Sequence, residues 1–163
     1  MPVLLIVHHT ASPALHSLFD SVMTGAREAA AADPSAGVEI VARPALTAGA
    51  VDVLGADAYI LGTPANLGYM SGALKHFFDQ IYYPCLEATV RRPYACYIHG
   101  NNDTTGALRS IETATTGLKW ELAQPPLEVI GPPTRANLEA AWELGAAVAA
   151  RLTLDAGTGT GTG

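Results

Sequence analysis

Three short segments hold most of the residues in this chain that can do chemistry: "HHTASPAL" (8–15), "GTPANLGYM" (62–70) and "HGNNDTTG" (99–106). The first offers the Thr10 and Ser12 hydroxyls with the amides of Ala11, Ala14 and Leu15, and then opens into a helical pattern. A helix start with spare N–H donors and a positive dipole end suits a dianionic phosphate without any lysine or arginine. Capping explains the same two hydroxyls equally well, so this loop alone leaves ligand and cap as equal readings. The second segment has Pro64, Gly68 and Gly72, which let backbone approach a flat ligand, with Leu67, Tyr69 and Met70 as apolar contacts. A strand-to-helix turn with a half-buried Tyr69 is the plainer reading. The third segment is polar and can close over a ligand, while Asp103 or Thr104 can cap the helix that follows.

Other chemistries fit less well. Neither G-x-G-x-x-G nor G-x-x-x-x-G-K follows the first apolar run, which excludes a dinucleotide fingerprint and a P-loop and favours a monophosphate over a triphosphate. His8 and His9 are adjacent, so on a strand they point to opposite faces, and no acid or cysteine completes a metal shell with recognisable spacing. No metal site is expected. "GYMSGAL" is not a nucleophile elbow, because G-x-S-x-G needs its serine one place earlier; Ser71 reads as an N-cap.

The elements that must position these segments follow from periodicity. The 163 residues suit one domain, 49% apolar and 15% charged, with a net charge of −6 that supplies no basic footprint for nucleic acid or an anionic membrane. The opening apolar run is only Val3 to Val7, too short for a signal core or a span. Cys85 and Cys96 match no redox or metal spacing and read as reduced thiols of a cytoplasmic protein, Cys96 as packing. Strands are expected at Val3–Val7, Val38–Val41, Ala58–Leu61, Tyr94–Ile98 and around Lys119–Ala123. Between them Leu15, Leu18, Val22, Ala26 and Ala29 make one helical face, and Met70, Leu74, Phe77 and Ile81 a second. Leu108, Ile111 and Leu118 make a third, and Leu138, Trp142, Gly145, Val148 and Leu152 a fourth, after Pro132-Pro133-Thr134. A short helix is expected between Arg43 and Gly55. Alternating strands and helices imply an α/β doubly wound sheet of five parallel strands with helices on both faces, order 2-1-3-4-5. Residues 1–153 form the single domain, and 154–163 a Gly/Thr-rich tail without a fold of its own. Ligands bind such sheets at the carboxyl ends of the strands, where the three segments meet.

"TPANLGYMSGALKHFFDQ" resembles the T-P-x-x-x-G-x-M-S-G-x-x-K-x-F-x-D segment of flavodoxin-like NAD(P)H oxidoreductases, through Thr63, Pro64, Gly68, Met70, Ser71, Gly72, Lys75, Phe77 and Asp79. "HHTASPAL" occupies the place of their phosphate loop. "GLKWELAQPPLEVIGPPTRANLEAAWELG" is similar to their last strand and helix. The resemblance implies FMN, with its phosphate on Thr10, Ser12, Ala14 and Leu15. Its ring would lie against Thr63, Pro64, Ala65, Asn66, Leu67, Gly68 and Tyr69, under a cover of His99, Gly100, Asn101 and Asn102. It also implies NAD(P)H as donor, a quinone, flavin or other small acceptor, and a homodimer or homotetramer, with Tyr82, Tyr83 and Pro84 in a candidate interface. No catalytic side chain is required, because the flavin carries the redox chemistry. The chain departs from the pattern at Pro13, usually glycine, at Leu15, often threonine, and at Leu67, often phenylalanine. Tyr69 and His99 remain as ring-stacking candidates. A flavodoxin-type electron carrier, and a binding or structural module that has lost FMN, are the alternatives. Carriers usually rim the flavin with carboxylates, and here the second segment has none and the third only Asp103.

Overall fold

The computed structural model describes residues 1–158, so the end of the Gly/Thr-rich tail, 159–163, lies outside the described residues. The chain runs β1 (Val3–His8), α1 (Pro13–Ala32), a 3₁₀ turn (Pro34–Ala36), β2 (Glu39–Pro44), α2 (Ala50–Leu54), β3 (Ala58–Asn66) and β4 (Tyr69–Met70). It continues with α3 (Gly72–Cys85), β5 (Pro93–Gly100), α4 (Thr105–Leu118), β6 (Glu121–Leu122), β7 (Leu127–Ile130) and α5 (Arg135–Thr158).

The main sheet is parallel in the order β2-β1-β3-β5, and β6 and β7 together occupy the far edge beside β5. This is the expected doubly wound arrangement, five positions wide. Its central strands alternate: Leu5, Val7, Tyr59, Leu61, Cys96 and Ile98 pack toward α2, α3 and α4. Leu4, Ile6, Ala58, Ile60, Ala95 and Tyr97 pack toward α1 and α5. Both faces of β1, β3 and β5 are buried, which is why these strands read as continuous apolar runs. Cys85 and Cys96 are free and buried, and burial pushes the Cys96 thiol up to about 12.

The helix starts expected at Ser12 and Ser71 hold, whereas Thr104 precedes α4 without a side-chain cap bond. Ser12 caps α1 by accepting from the Leu15 amide at 3.2 Å with Pro13 next to it, and Ser71 caps α3 by accepting from Leu74 N at 3.2 Å. Thr134 and Asn137 bond reciprocally ahead of α5: Thr134 N donates to Asn137 Oδ1 at 2.9 Å and Asn137 N to Thr134 Oγ1 at 3.2 Å.

Several boundaries differ from expectation. The fifth strand, expected at Lys119–Ala123, is broken in two. Lys119 is the left-handed cap of α4 (φ 59°), β6 is only Glu121–Leu122, and the longer piece is β7. Pro125 and Pro126 cannot donate to a ladder, so pairing stops there and resumes at Leu127. Met70, placed by periodicity on a helix, lies in β4 instead, because β3 runs past Leu61 to Asn66 and folds back. The last helix extends to Thr158, so residues 154–158, assigned to the tail, are helical.

α1 and α5 touch backbone to backbone. A Cβ at Gly25 would lie 2.0 Å from the Trp142 carbonyl oxygen, and one at Gly145 would lie 2.1 Å from that of Val22. Gly145→Ala therefore has to push the helices apart. We expect a loss of about 1–3 kcal/mol, as for other overpacked cores, read as a lower urea midpoint with unchanged slope.

Candidate functional site

The carboxyl ends of β1, β3 and β5 lie side by side, with His8 opposite Gly62 and Pro64 opposite His99. Their loops enclose a cleft of about 220 Å³. One side is Ala11, Ser12 and Leu15 from the start of α1, and the other is Pro64, Ala65 and Asn66 from β3. His99, Gly100 and Asn101 complete it.

On the α1 side the donor set is mainly backbone. The His9 amide bonds the Gly62 carbonyl and the His16 amide bonds that of Ser12, both at 2.9 Å, but the amides of Ala11, Ser12 and Ala14 meet no acceptor among the described residues. The first turn of a helix leaves such donors unsatisfied. Ser12 Oγ accepts from Leu15 N, so its own O–H is left to donate outward. His9 Nδ1 is buried and also has no partner among the described residues. Thr10 is committed elsewhere: its hydroxyl bonds His8 Nδ1 at 2.7 Å, and the His8 ring packs on Phe19 with centroids 4.1 Å apart. Leu15 contributes less than its place in the loop suggests, since its amide is taken by Ser12 and its side chain is fully buried with the α1–α5 core.

The second segment is a β-hairpin, Ala65 paired with Met70 and Asn66 with Tyr69. Its two-residue tip is left-handed throughout, Leu67 at φ 49° and Gly68 at φ 74°. Mirror-image turns of this kind match the twist of the strands, but they cost a branched leucine backbone strain. The Leu67 side chain projects fully into solvent. The tip is held down on α4, where a Cβ at Gly106 would meet the Gly68 carbonyl oxygen at 1.9 Å. Thr63, expected at the ligand, instead braces the hairpin base: buried, it donates to the Pro64 carbonyl at 2.8 Å and accepts from Ser71 N at 3.0 Å.

Of the two stacking candidates only His99 borders this cleft. Tyr69 lines a separate groove between α3 and α4 with Phe78 and Tyr82. The His99 ring is tied to the loop after β7, where Nε2 donates to the Gly131 carbonyl at 2.9 Å while Gly131 N donates back to Gly100 O at 2.9 Å. Ala14 lines an adjoining cleft rather than this one. Thr10, Leu67, Gly68 and Asn102 do not line the cleft. Asp103 turns to α4, its carboxylate accepting from the Thr105 amide and hydroxyl at 3.0 and 2.8 Å, and these bonds hold it below the usual carboxylate range. Thr104 donates to Glu128 Oε1 at 2.9 Å. The loop after β7, Gly131 to Pro133, is a neighbour that sequence reasoning missed. Its signal was the Gly-Pro-Pro following an apolar run, a strand end at the same sheet edge. No group of three metal-ligating side chains is gathered anywhere among the described residues.

No family model matches the chain, and no curated protein matches it. Solved structures do. An archaeal flavodoxin superposes with a TM-score of 0.76 at 14% identity, over 92% of this chain and 98% of that one. The fold is flavodoxin-like. A flavodoxin-type WrbA-like protein from Agrobacterium tumefaciens gives a TM-score of 0.68 at 17% identity over 97% and 99% of the two chains. The flavodiiron protein from Giardia intestinalis gives 0.77 at 16%, over 96% of this chain but 37% of its own. In this flavodoxin-like chain the cleft lies at the carboxyl edge between β1 and its neighbours β3 and β5, where the winding of such sheets reverses. Among the described residues no helix is long and apolar enough to cross a membrane.

Burial, and then the neighbouring His9, hold the His8 pKa below its ordinary 6.5. The unfolded chain therefore takes up a proton near 6.5 that the native loop resists, so this group's share of stability is present above 6.5 and is lost as pH falls below it. His8→Asn keeps an acceptor for Thr10 without titrating. Its thermal midpoint should drop less than that of the wild type between pH 7 and 5; parallel curves would show that His8 titrates normally.

Proposed function

We propose that this chain is an FMN-binding, NAD(P)H-dependent reductase of a quinone, flavin or other small acceptor. The observation that carries the reading is the cleft beside the start of α1, where unpaired amides and the free Ser12 O–H converge and no carboxylate intrudes. That donor set fits a phosphate monoester. Helix starts hold such dianions through N–H groups and the dipole alone, so a chain without a local cation is suited to one. The amides of Ala11, Ser12 and Ala14 with the Ser12 hydroxyl would hold the phosphate. Pro64 to Asn66 and Asn101 would flank the rest of the cofactor. When bound, FMN supplies a hydride acceptor that can pass electrons on, so the protein's task is to bind, orient and shield. The lack of acids in the lining supports a small acceptor over a basic protein partner, and so an enzyme over an electron carrier.

One observation favours a flavin-free binding module: Tyr69 lines a separate groove rather than the cleft, and Leu15 replaces a hydroxyl. A stacking ring and a neutral hydrogen bond are each worth about 1 kcal/mol. Their loss weakens FMN without abolishing a phosphate site.

Titration of the purified protein with FMN, followed by flavin fluorescence, separates these readings. Binding at roughly micromolar concentration or tighter, about −8 kcal/mol, supports the reductase reading. Ser12→Asp keeps a good helix cap but sets a carboxylate against the phosphate, and should weaken FMN at least about tenfold. NAD(P)H oxidation is then assayed with quinone and with free flavin as acceptors. No binding by the wild type would sink the reductase and leave the binding module.

A further inference from the structure

β2 is the last strand on its side of the sheet, and no described element pairs with its outer edge. The Glu39 amide bonds the Pro2 carbonyl at 2.9 Å and the Ala45 amide bonds that of His8 at 2.8 Å, so the backbone groups of its odd-numbered residues face β1. Ile40 and Ala42 therefore turn their amides and carbonyls outward. The Ala42 carbonyl accepts only from Arg43 of its own chain, whose Nη1 lies 3.2 Å away. Sheets normally blunt such edges with lysine, proline, bulges or very short strands. The far edge is treated that way, since Pro125 and Pro126 break it into β6 and β7. β2 runs six residues with a proline only at its end.

Its charges also read the same from both ends. Glu39 and Arg43 flank Val41 symmetrically, with opposite sign. Arg43 Nε lies 3.7 Å from Asp52 Oδ1 in α2, while Glu39 has no ion pair among the described residues. Antiparallel pairing of two β2 strands about Val41 sets each Glu39 opposite the other copy's Arg43, and each Ile40 opposite Ala42. Ile40 and Ala42 have outward backbones, so they take the positions that exchange hydrogen bonds. Glu39 and Arg43 fall at the alternate positions, where opposed side chains come closest. The next register in either direction loses both charge pairs.

We propose that β2 is the interface between two copies of this chain, joined antiparallel about a two-fold axis at Val41 into one continuous sheet. A two-fold contact must be self-complementary, and this strand carries that complementarity in its charges. In the pair the Ala42 carbonyl accepts from the Ile40 amide of the second copy. That frees Arg43 Nη1 for the Glu39 carboxylate opposite, while Nε keeps Asp52. The carboxyl ends of the two halves point opposite ways, so both clefts stay open. The proposal does not depend on what the cleft holds.

Sedimentation equilibrium of the full chain reads the association. The wild type should give a mass that rises with concentration toward two chains. Glu39→Arg and Arg43→Glu, each alone, set like charges opposite and should weaken the pair at least about tenfold. An equimolar mixture of these two variants should associate again, because each meets its opposite charge; that recovery also shows that both have folded. Ala42→Pro removes an outward amide, leaves the β1 ladder whole and should weaken the pair as either reversal does. A wild type that stays one chain at every concentration would overturn the proposal. So would association that none of these variants weakens, which would move the contact to another face such as that of Tyr82 and Tyr83. Weakening without recovery on mixing would overturn the charge-paired register.

Discussion

Parallel pairing of β1 with β3 and of β3 with β5 is the constraint on which the rest depends. Parallel strands point their carboxyl ends the same way, and adjacent strands lie about 4.8 Å apart, so three loops distant in sequence must leave the sheet as neighbours. The register is what makes a cleft of them. His8 ends level with Gly62, and Pro64 level with His99, so the start of α1, the hairpin and the β5 loop border one space. A slip of one residue in any pair would turn the apolar set of a strand onto the wrong face, which two buried layers do not allow.

Close backbone contacts then set how rigid that space is. The approach of Gly106 to the hairpin tip holds a turn that would otherwise be poorly suited to leucine, and the exposed Leu67 side chain gains nothing from the core. Strain of this kind persists where the surroundings over-determine a conformation, commonly at binding loops. On the other face the glycine contacts between α1 and α5 bring the start of one helix near the loop that opens the other. The adjoining cleft lined by Pro13, Pro132 and Pro133 lies between them.

The two faces of the site differ in how they recognise a ligand. The α1 side works with amides and one hydroxyl, and would discriminate by charge and hydrogen bonding. The hairpin side presents small residues, Pro64, Ala65 and Asn66, with no ring. Affinity for a flat group there has to come from shape and exclusion of water rather than from stacking.

Much of this was legible in the residues themselves. Apolar runs, three-and-four spacings and the caps at Ser12 and Ser71 report local physics, so the strands, the helices and the doubly wound class follow from them. The meeting of "HHTASPAL", "GTPANLGYM" and "HGNNDTTG" follows too, because parallel topology permits nothing else. Side-chain direction does not. Thr63 and Thr10 look like ligand hydroxyls, yet each has a stronger local partner. Tyr69 and His99 look like stacking rings, yet Tyr69 lines the groove between α3 and α4 and His99 Nε2 is held by the Gly131 carbonyl. The second segment of the edge strand and the cleft lined by Pro132 and Pro133 depend on where Pro125 and Pro126 halt the ladder and where α5 lands on α1. Those are long-range contacts, decided only when the layers pack.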